Sequence, residues 1–97
     1  MDKVEEKRQI IKKLKPIISK KYQVKNIGIF GSFLRGEQNS QSDLDILVEF
    51  SKPVSFFTFL ELEEYLENSL KTKVDLVTKK ALKPAIGKNI LREVSYL

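Results

Sequence analysis

Ninety-seven residues suit one compact domain that buries about 60–70 % of its unfolded surface, and a hydrophobic fraction of 41 % can supply its core. Cys and His are both absent, which excludes disulfides, thiolate zinc sites, thiol nucleophiles, imidazole bases and any Ser-His-Asp triad. The chemistry that remains belongs to carboxylates, hydroxyls, Lys, Arg and backbone N–H groups, a donor set that favours a hard ion such as Mg²⁺.

No stretch approaches the ~20 apolar residues of a membrane helix. The first residues, Met1-Asp-Lys-Val-Glu-Glu6, are charged and carry no apolar run of signal-peptide type, so the expected location is cytoplasmic. The formal charge of +5 is unevenly placed. Residues 1–25 hold nine Lys or Arg against Asp2, Glu5 and Glu6, a balance of +6, whereas the remainder holds nine basic and ten acidic residues. Such a cluster fits a nucleic-acid grip or a solvated, Lys-rich helix face. The lysines have no interleaved aromatics of the kind that stack on single strands, which favours the solvated face.

In chain order, Val4, Ile10, Ile11, Leu14, Ile17, Ile18 and Tyr22 recur at helical spacing, predicting a basic helix over about residues 3–21. Pro16 interrupts this pattern and can kink or split the helix. Val24-Lys-Asn-Ile-Gly-Ile-Phe30 reads as a strand ending at Gly31. Ser32-Phe-Leu-Arg35 suggests a short helical turn, and Gly36 to Ser42 a polar loop. Residues 43–50 are strand-like, and the run Ile46-Leu47-Val48 suggests burial on both faces.

Pro53 and Ser55 precede a predicted helix over about 56–70, with Phe56, Phe59, Leu60, Leu62, Tyr65, Leu66 and Leu70 as its apolar stripe. Residues 73–78 form a third strand pattern. Residues 81–96 are helical in pattern, with Pro84 and Gly87 limiting their regularity. No internal repeat, low-complexity tract or linker divides the chain. The order α-β-α-β-α-β-α predicts an α/β domain of two or three layers around a short sheet.

Three features carry chemistry. Gly31-Ser32 follows a strand and precedes a helical turn, where Gly permits close backbone approach and the next N–H groups can face a phosphate. An ordinary turn has the same appearance. Asp43-Leu44-Asp45 sets two carboxylates on one strand face with Leu44 turned to the core. The two anions repel unless a cation sits between them, although a solvated strand start capped by Asp43 or Ser42 has the same pattern. Asp75 stands among Val74, Leu76 and Val77, where an unpaired buried carboxylate would be costly. It calls for a metal, or for a structural salt bridge to Lys71, Lys73 or Arg92.

Together these residues form a recognisable set. Gly31-Ser32-Phe-Leu-Arg35-Gly36-Glu37 followed by Ser42-Asp43-Leu-Asp45-Ile-Leu-Val-Glu49 resembles the nucleotidyltransferase signature of the DNA polymerase β superfamily. Within it the chain is most similar to the minimal nucleotidyltransferases of prokaryotes, with Val74-Asp75-Leu76-Val77 matching the third carboxylate. The likeness runs from about residue 24 to the C-terminus and includes the segment from Leu82 through Pro84 to Ile90.

The resemblance implies an α/β nucleotidyltransferase fold with a short mixed sheet of about three to four strands packed with helices. It implies a single domain over 1–97, made of the basic helix, a catalytic core of about 24–78 and a helical segment of about 80–96. Gly31 and Ser32 would bind the β- and γ-phosphates of ATP. Asp43, Asp45 and Asp75 would hold two Mg²⁺ ions and carry catalysis, Asp75 also helping to deprotonate the acceptor hydroxyl. Arg35 would steady the triphosphate or hold its loop through Glu37. Leu34 departs from the small residue many relatives carry, and either alters turn packing or narrows the nucleotide pocket.

Similar proteins pair with a small all-α HEPN protein as the antitoxin half of a toxin–antitoxin module, adding AMP to a tyrosine of the toxin RNase. That is the leading expectation for this chain. A non-catalytic binding module with a relic site is a second reading. A third is an enzyme acting on a tRNA end or a small molecule, with the basic helix as its grip.

Overall fold

The computed structural model describes residues 3–31, 43–81 and 84–97. The predicted turn at Ser32–Arg35 and the loop from Gly36 to Ser42 lie outside these residues, as do Leu82 and Lys83. The described elements are α1 (Lys3–Tyr22), β1 (Val24–Phe30), β2 (Leu44–Phe50), α2 (Phe56–Leu70), β3 (Val74–Thr78), a 3₁₀ turn (Lys79–Ala81), α3 (Pro84–Glu93) and β4 (Ser95–Tyr96). The four strands make one mixed sheet in the order β3-β2-β1-β4. β1 pairs antiparallel with β2 and β4, and β2 pairs parallel with β3. None of the described helices is long and apolar enough to cross a membrane.

Helix α1 runs unbroken through Pro16. Its acids Glu5 and Glu6 lie in the first turn and Lys20 and Lys21 in the last, complementing the helix dipole. Gln23, at φ 62°, takes the left-handed conformation and ends it. Ile11, Ile18 and Tyr22 are buried, while Ile17 is 48 % exposed and leaves the expected stripe. Helix α2 starts where Ser55 accepts a hydrogen bond from the Thr58 N–H at 3.1 Å. It stops at Lys71, whose backbone is left-handed and whose N–H donates to the Glu67 carbonyl at 2.8 Å. Leu62, Leu66 and Leu70 are its buried line. Phe56 and Leu60 were expected in that stripe, but the four-residue ladder back from Leu62 passes through Thr58, and both are exposed.

Helices α1 and α2 cover one face of the sheet. Ile27 and Ile29 of β1, Leu44, Ile46 and Val48 of β2, and Val74 and Leu76 of β3 join Ile11, Ile18, Leu62 and Leu66 in one core cluster. Side chains alternate along a strand, so the intervening positions occupy the other face. Leu47 there is 1 % exposed, which makes β2 buried on both sides as its apolar run predicted.

Two fastenings were not legible in the pattern. The tail expected as helix through Tyr96 instead ends in β4, a two-residue strand paired at Gly28–Tyr96 and Ile29–Ser95. Gly28 permits this approach, since a Cβ there would meet the Val94 methyl at 2.7 Å and the Ser95 carbonyl at 2.9 Å. The basic residues of α1 are partly committed inside the fold. Lys7 donates to the Leu70 carbonyl at 2.7 Å, Arg8 to the Ser95 hydroxyl and Lys15 to the Leu97 carbonyl. Lys12, Lys13, Lys20 and Lys21 remain exposed, so the charge cluster divides between internal ties and a solvated face.

Strand β3 forms one edge of the sheet, and α2 covers its outward N–H groups. The Val74 N–H donates to the Glu67 carboxylate at 3.0 Å and the Leu76 N–H to the Glu63 carboxylate at 3.2 Å. These charge-assisted bonds tie the strand to the helix that precedes it. Replacing Glu63 and Glu67 together by Ala should lower stability by about 1–3 kcal/mol, the scale of hydrogen bonds to charged groups. Urea unfolding measures this, and an unchanged midpoint would show that the edge does not need the two carboxylates.

Candidate active site

Registration across the sheet decides which polar groups meet. Phe30 of β1 is opposite Asp45 of β2, and Asp45 is opposite Asp75 of β3. Paired residues share a face, so Phe30, Asp45 and Asp75 form one transverse row on the face away from α1 and α2. Asp43 lies two residues before Asp45, at the entrance to β2, and is exposed. Leu44 between them is fully buried in the helix-side core, as the alternation predicted.

Gly31 follows directly after β1 with φ +80°, a conformation that L side chains rarely adopt. A Cβ placed there would overlap the Asp45 carboxylate. The absence of a side chain at Gly31 is therefore what leaves room for Asp45 at the end of β1. The sequence argument assigned this glycine to close approach of a ligand. The structure adds a neighbour, the acid itself.

Asp75 lies on the expected strand, but the expected burial does not hold. It is exposed, because β3 is an edge strand and the register turns Asp75 away from the helices. Among the described residues, Lys71, Lys73 and Arg92 form no ion pair with it, so the salt-bridge alternative receives no support. Ser32 and Arg35, together with Leu34 and Glu37, lie outside the described residues.

Adjacent strands are ~4.8 Å apart. The register sets Asp45 beside Asp75 at that spacing, and carboxylate oxygens are the ligands a hard divalent ion takes. Among the described residues no group of three acidic side chains is placed to hold a metal ion, so Asp43, Asp45 and Asp75 are not gathered as one trio; the register brings together Asp45 and Asp75. Further along the same face, the Asn26 amide donates to Glu49 at 2.8 Å. That bond, opposed by desolvation and aided by Lys79 and Lys25, holds the Glu49 carboxyl below its ordinary pKa.

A cavity of about 580 Å³ opens elsewhere, between the C-terminal end of β2 and the start of α2. Its walls are largely apolar and include none of Gly31, Asp43, Asp45 or Asp75. Charge neutralisation and phosphate chemistry need the carboxylate row rather than this space. The sequence reading missed the cavity because it assigned Phe56 to the buried stripe of α2.

Comparison with known proteins agrees with this geometry. The chain is similar to the protein adenylyltransferase MntA of Thermococcus cleftensis, at 47 % identity over 94 residues that span 97 % of this chain and 95 % of that protein. A solved structure assigned as a minimal nucleotidyltransferase superposes with a TM-score of 0.83 and 29 % identity, over 100 % of this chain and 97 % of the other. A toxin–antitoxin structure with AMP-PNP superposes at a TM-score of 0.73 and 27 % identity, over 93 % of this chain and 70 % of that one. The model of the nucleotidyltransferase domain matches residues 11–97, and the chain belongs to that family of enzymes.

Proposed function

We propose that this chain moves AMP from ATP onto a hydroxyl of a partner protein, a tyrosine of a HEPN-type toxin, and thereby acts as the antitoxin of a toxin–antitoxin module. The observation that carries the chemistry is the Asp45–Asp75 register on one sheet face, ending against side-chain-free Gly31. Two similarities support the biological setting: a relative named as a protein adenylyltransferase, and a toxin–antitoxin structure with a nucleotide analogue.

In this reading the backbone at Gly31 and the Ser32 hydroxyl hold the β- and γ-phosphates, and Arg35 steadies the triphosphate or its loop. Asp43, Asp45 and Asp75 would hold Mg²⁺, two ions in the full assembly, which neutralise phosphate charge and favour the ionised acceptor. Asp75 accepts the proton of the acceptor hydroxyl. The acceptor oxygen forms a bond to the α-phosphorus as the bond to the β-phosphate's bridging oxygen breaks, and pyrophosphate leaves in line. With no His in the chain, the carboxylates are the side chains suited to act as base near neutral pH.

The decisive assay combines the purified protein, α-labelled ATP, Mg²⁺ and the product of the neighbouring gene. Label is expected on a partner tyrosine. Asp75→Asn should retain most ATP affinity and lose nearly all labelling, since it lies at the sheet edge and off the phosphate turn. Equal labelling by both proteins would remove Asp75 from the mechanism. Label on RNA or a small molecule instead would retire the antitoxin reading and keep the transfer chemistry.

Nucleotide binding has its own tests. ATP and Mg²⁺ together should raise the melting temperature of the wild type by linkage, and Asp43→Asn with Asp45→Asn should abolish that rise. If the double variant responds like the wild type, the metal assignment is wrong. Gly31→Ala should lower stability by about 1–3 kcal/mol through backbone strain and displace Asp45, with ATP affinity falling about tenfold or more. Unaltered affinity in folded Gly31→Ala would place the nucleotide elsewhere.

A further inference from the structure

Helix α2 opens with two phenylalanines that its own fold does not bury. Phe56 and Phe57 are 68 % and 75 % exposed, and their rings stand edge to face at 6.5 Å. Phe56 forms the lip of the 580 Å³ cavity, whose other walls include Phe50, Val54, Phe59, Lys79 and Lys80. Apolar groove and exposed rings make one continuous surface.

Apart from Lys79 and Lys80, the polar side chains of this groove are already engaged: Glu49 accepts from the Asn26 amide at 2.8 Å, the Ser55 hydroxyl from the Thr58 N–H at 3.1 Å and the Thr78 hydroxyl from the Ala81 N–H at 3.2 Å. A small ligand inside the groove would leave the Phe57 ring in water. A macromolecular surface covers both.

Charge selects the kind of surface. Lys79 and Lys80 are exposed on the groove wall, and exposed Lys52 precedes Pro53 at its entrance. The first turn of α2 contains no acid to balance the positive end of its dipole. An acidic partner is thus favoured over a basic one. The shape of the occupant follows from the neighbouring strand. Glu67 and Glu63 already hold the outward N–H groups of Val74 and Leu76, and beside the groove β3 ends at Thr78 and passes into the 3₁₀ turn Lys79–Ala81. No strand edge runs along the groove, so side chains make the contact. This chain's own acidic amphipathic segment, α2, has Leu62, Leu66 and Leu70 committed to its core, which argues against a second copy as the occupant.

We propose that the groove docks an amphipathic helix of another protein, apolar along one face and flanked by Asp or Glu. The nearest lining residues, Val48 and Thr78, lie three positions beyond Asp45 and Asp75, about 10 Å of strand, so the groove is separate from the carboxylate row. The proposal does not rest on the transfer reaction and fails or stands separately from it.

The test is fluorescence anisotropy of the full chain with a labelled 18-residue peptide, Leu at helical positions i, i+3, i+4 and i+7 and Glu beside them. Its twin carries Lys for every Glu. The acidic peptide should bind at least about tenfold more tightly than its twin. Phe56→Ser should weaken it about tenfold, and Lys79→Glu with Lys80→Glu should reverse the preference between the two peptides. All of these side chains are exposed, so unfolding midpoints should stay at the wild-type value. Equal binding of the two peptides, binding of neither, or a preference untouched by the Lys pair overturns the proposal. So does sedimentation that finds a dimer which Phe56→Ser converts to monomer, since the occupant is then a second copy.

Discussion

The parallel pairing of β2 with β3 is the constraint on which the rest of the molecule turns. It begins where the Leu44 N–H donates to the Lys73 carbonyl at 2.8 Å and runs in register from Leu44–Val74 to Val48–Thr78. Slipping β3 by one residue would send every side chain to the opposite face. Asp75 would then lie among Leu62, Leu66 and Ile46, while Val74 and Leu76 would face away from that core. Burying a carboxylate without a partner costs several kcal/mol, and losing two apolar side chains from the core costs about 1.5–3 kcal/mol each. The alternation that builds the core therefore also puts the two acids side by side. Glu63 and Glu67 reinforce the same register from outside, because their helix must bring two carboxylates four residues apart to two N–H groups two residues apart.

On the other side of β2 the controlling residues are glycines. Phe30 opposes Asp45, and the chain then leaves the sheet through Gly31, whose positive φ and missing Cβ give the Asp45 carboxylate its space. Two residues before Phe30, Gly28 lets Val94 and Ser95 close against β1. Both glycines lie on the site face, and both mark places where another group takes the volume of a side chain. The difference is in what arrives: at Gly28 a strand that completes the sheet, at Gly31 an acid that belongs to the proposed chemistry.

Where a local rule and a tertiary contact agree, the sequence is a good guide. Ser55 caps α2 and Leu62, Leu66 and Leu70 recur every fourth residue, so the expected span of 56–70 matches Phe56–Leu70. The strand ending at Gly31 and the two-sided burial of β2 were legible for similar reasons. Asp75 was placed on the right strand by a wrong argument. Its neighbours are apolar because one face of an edge strand is buried, and that says nothing about the face on which Asp75 stands. β4 was not legible at all. Two residues give no period, and their conformation comes from Gly28 and Ile29, more than sixty positions earlier. Ile17, Phe56 and Leu60 fit helical spacing loosely, and only the packing separates them from true core positions.

The basic first segment gains its meaning from these distant contacts. Helix α2 has no basic residue within its last turn and ends on Lys71 as its cap. Lys7 of α1 adds a cation that donates directly to the Leu70 carbonyl, while Arg8 and Lys15 reach the last three residues of the chain. One helix thus ties the end of α2 and the closing strand to the same core. The opposite face of the sheet is left to carry the acids, and the far end of β2 is left to carry the apolar groove. A partner held at the groove would then meet a framework whose ties run through α1.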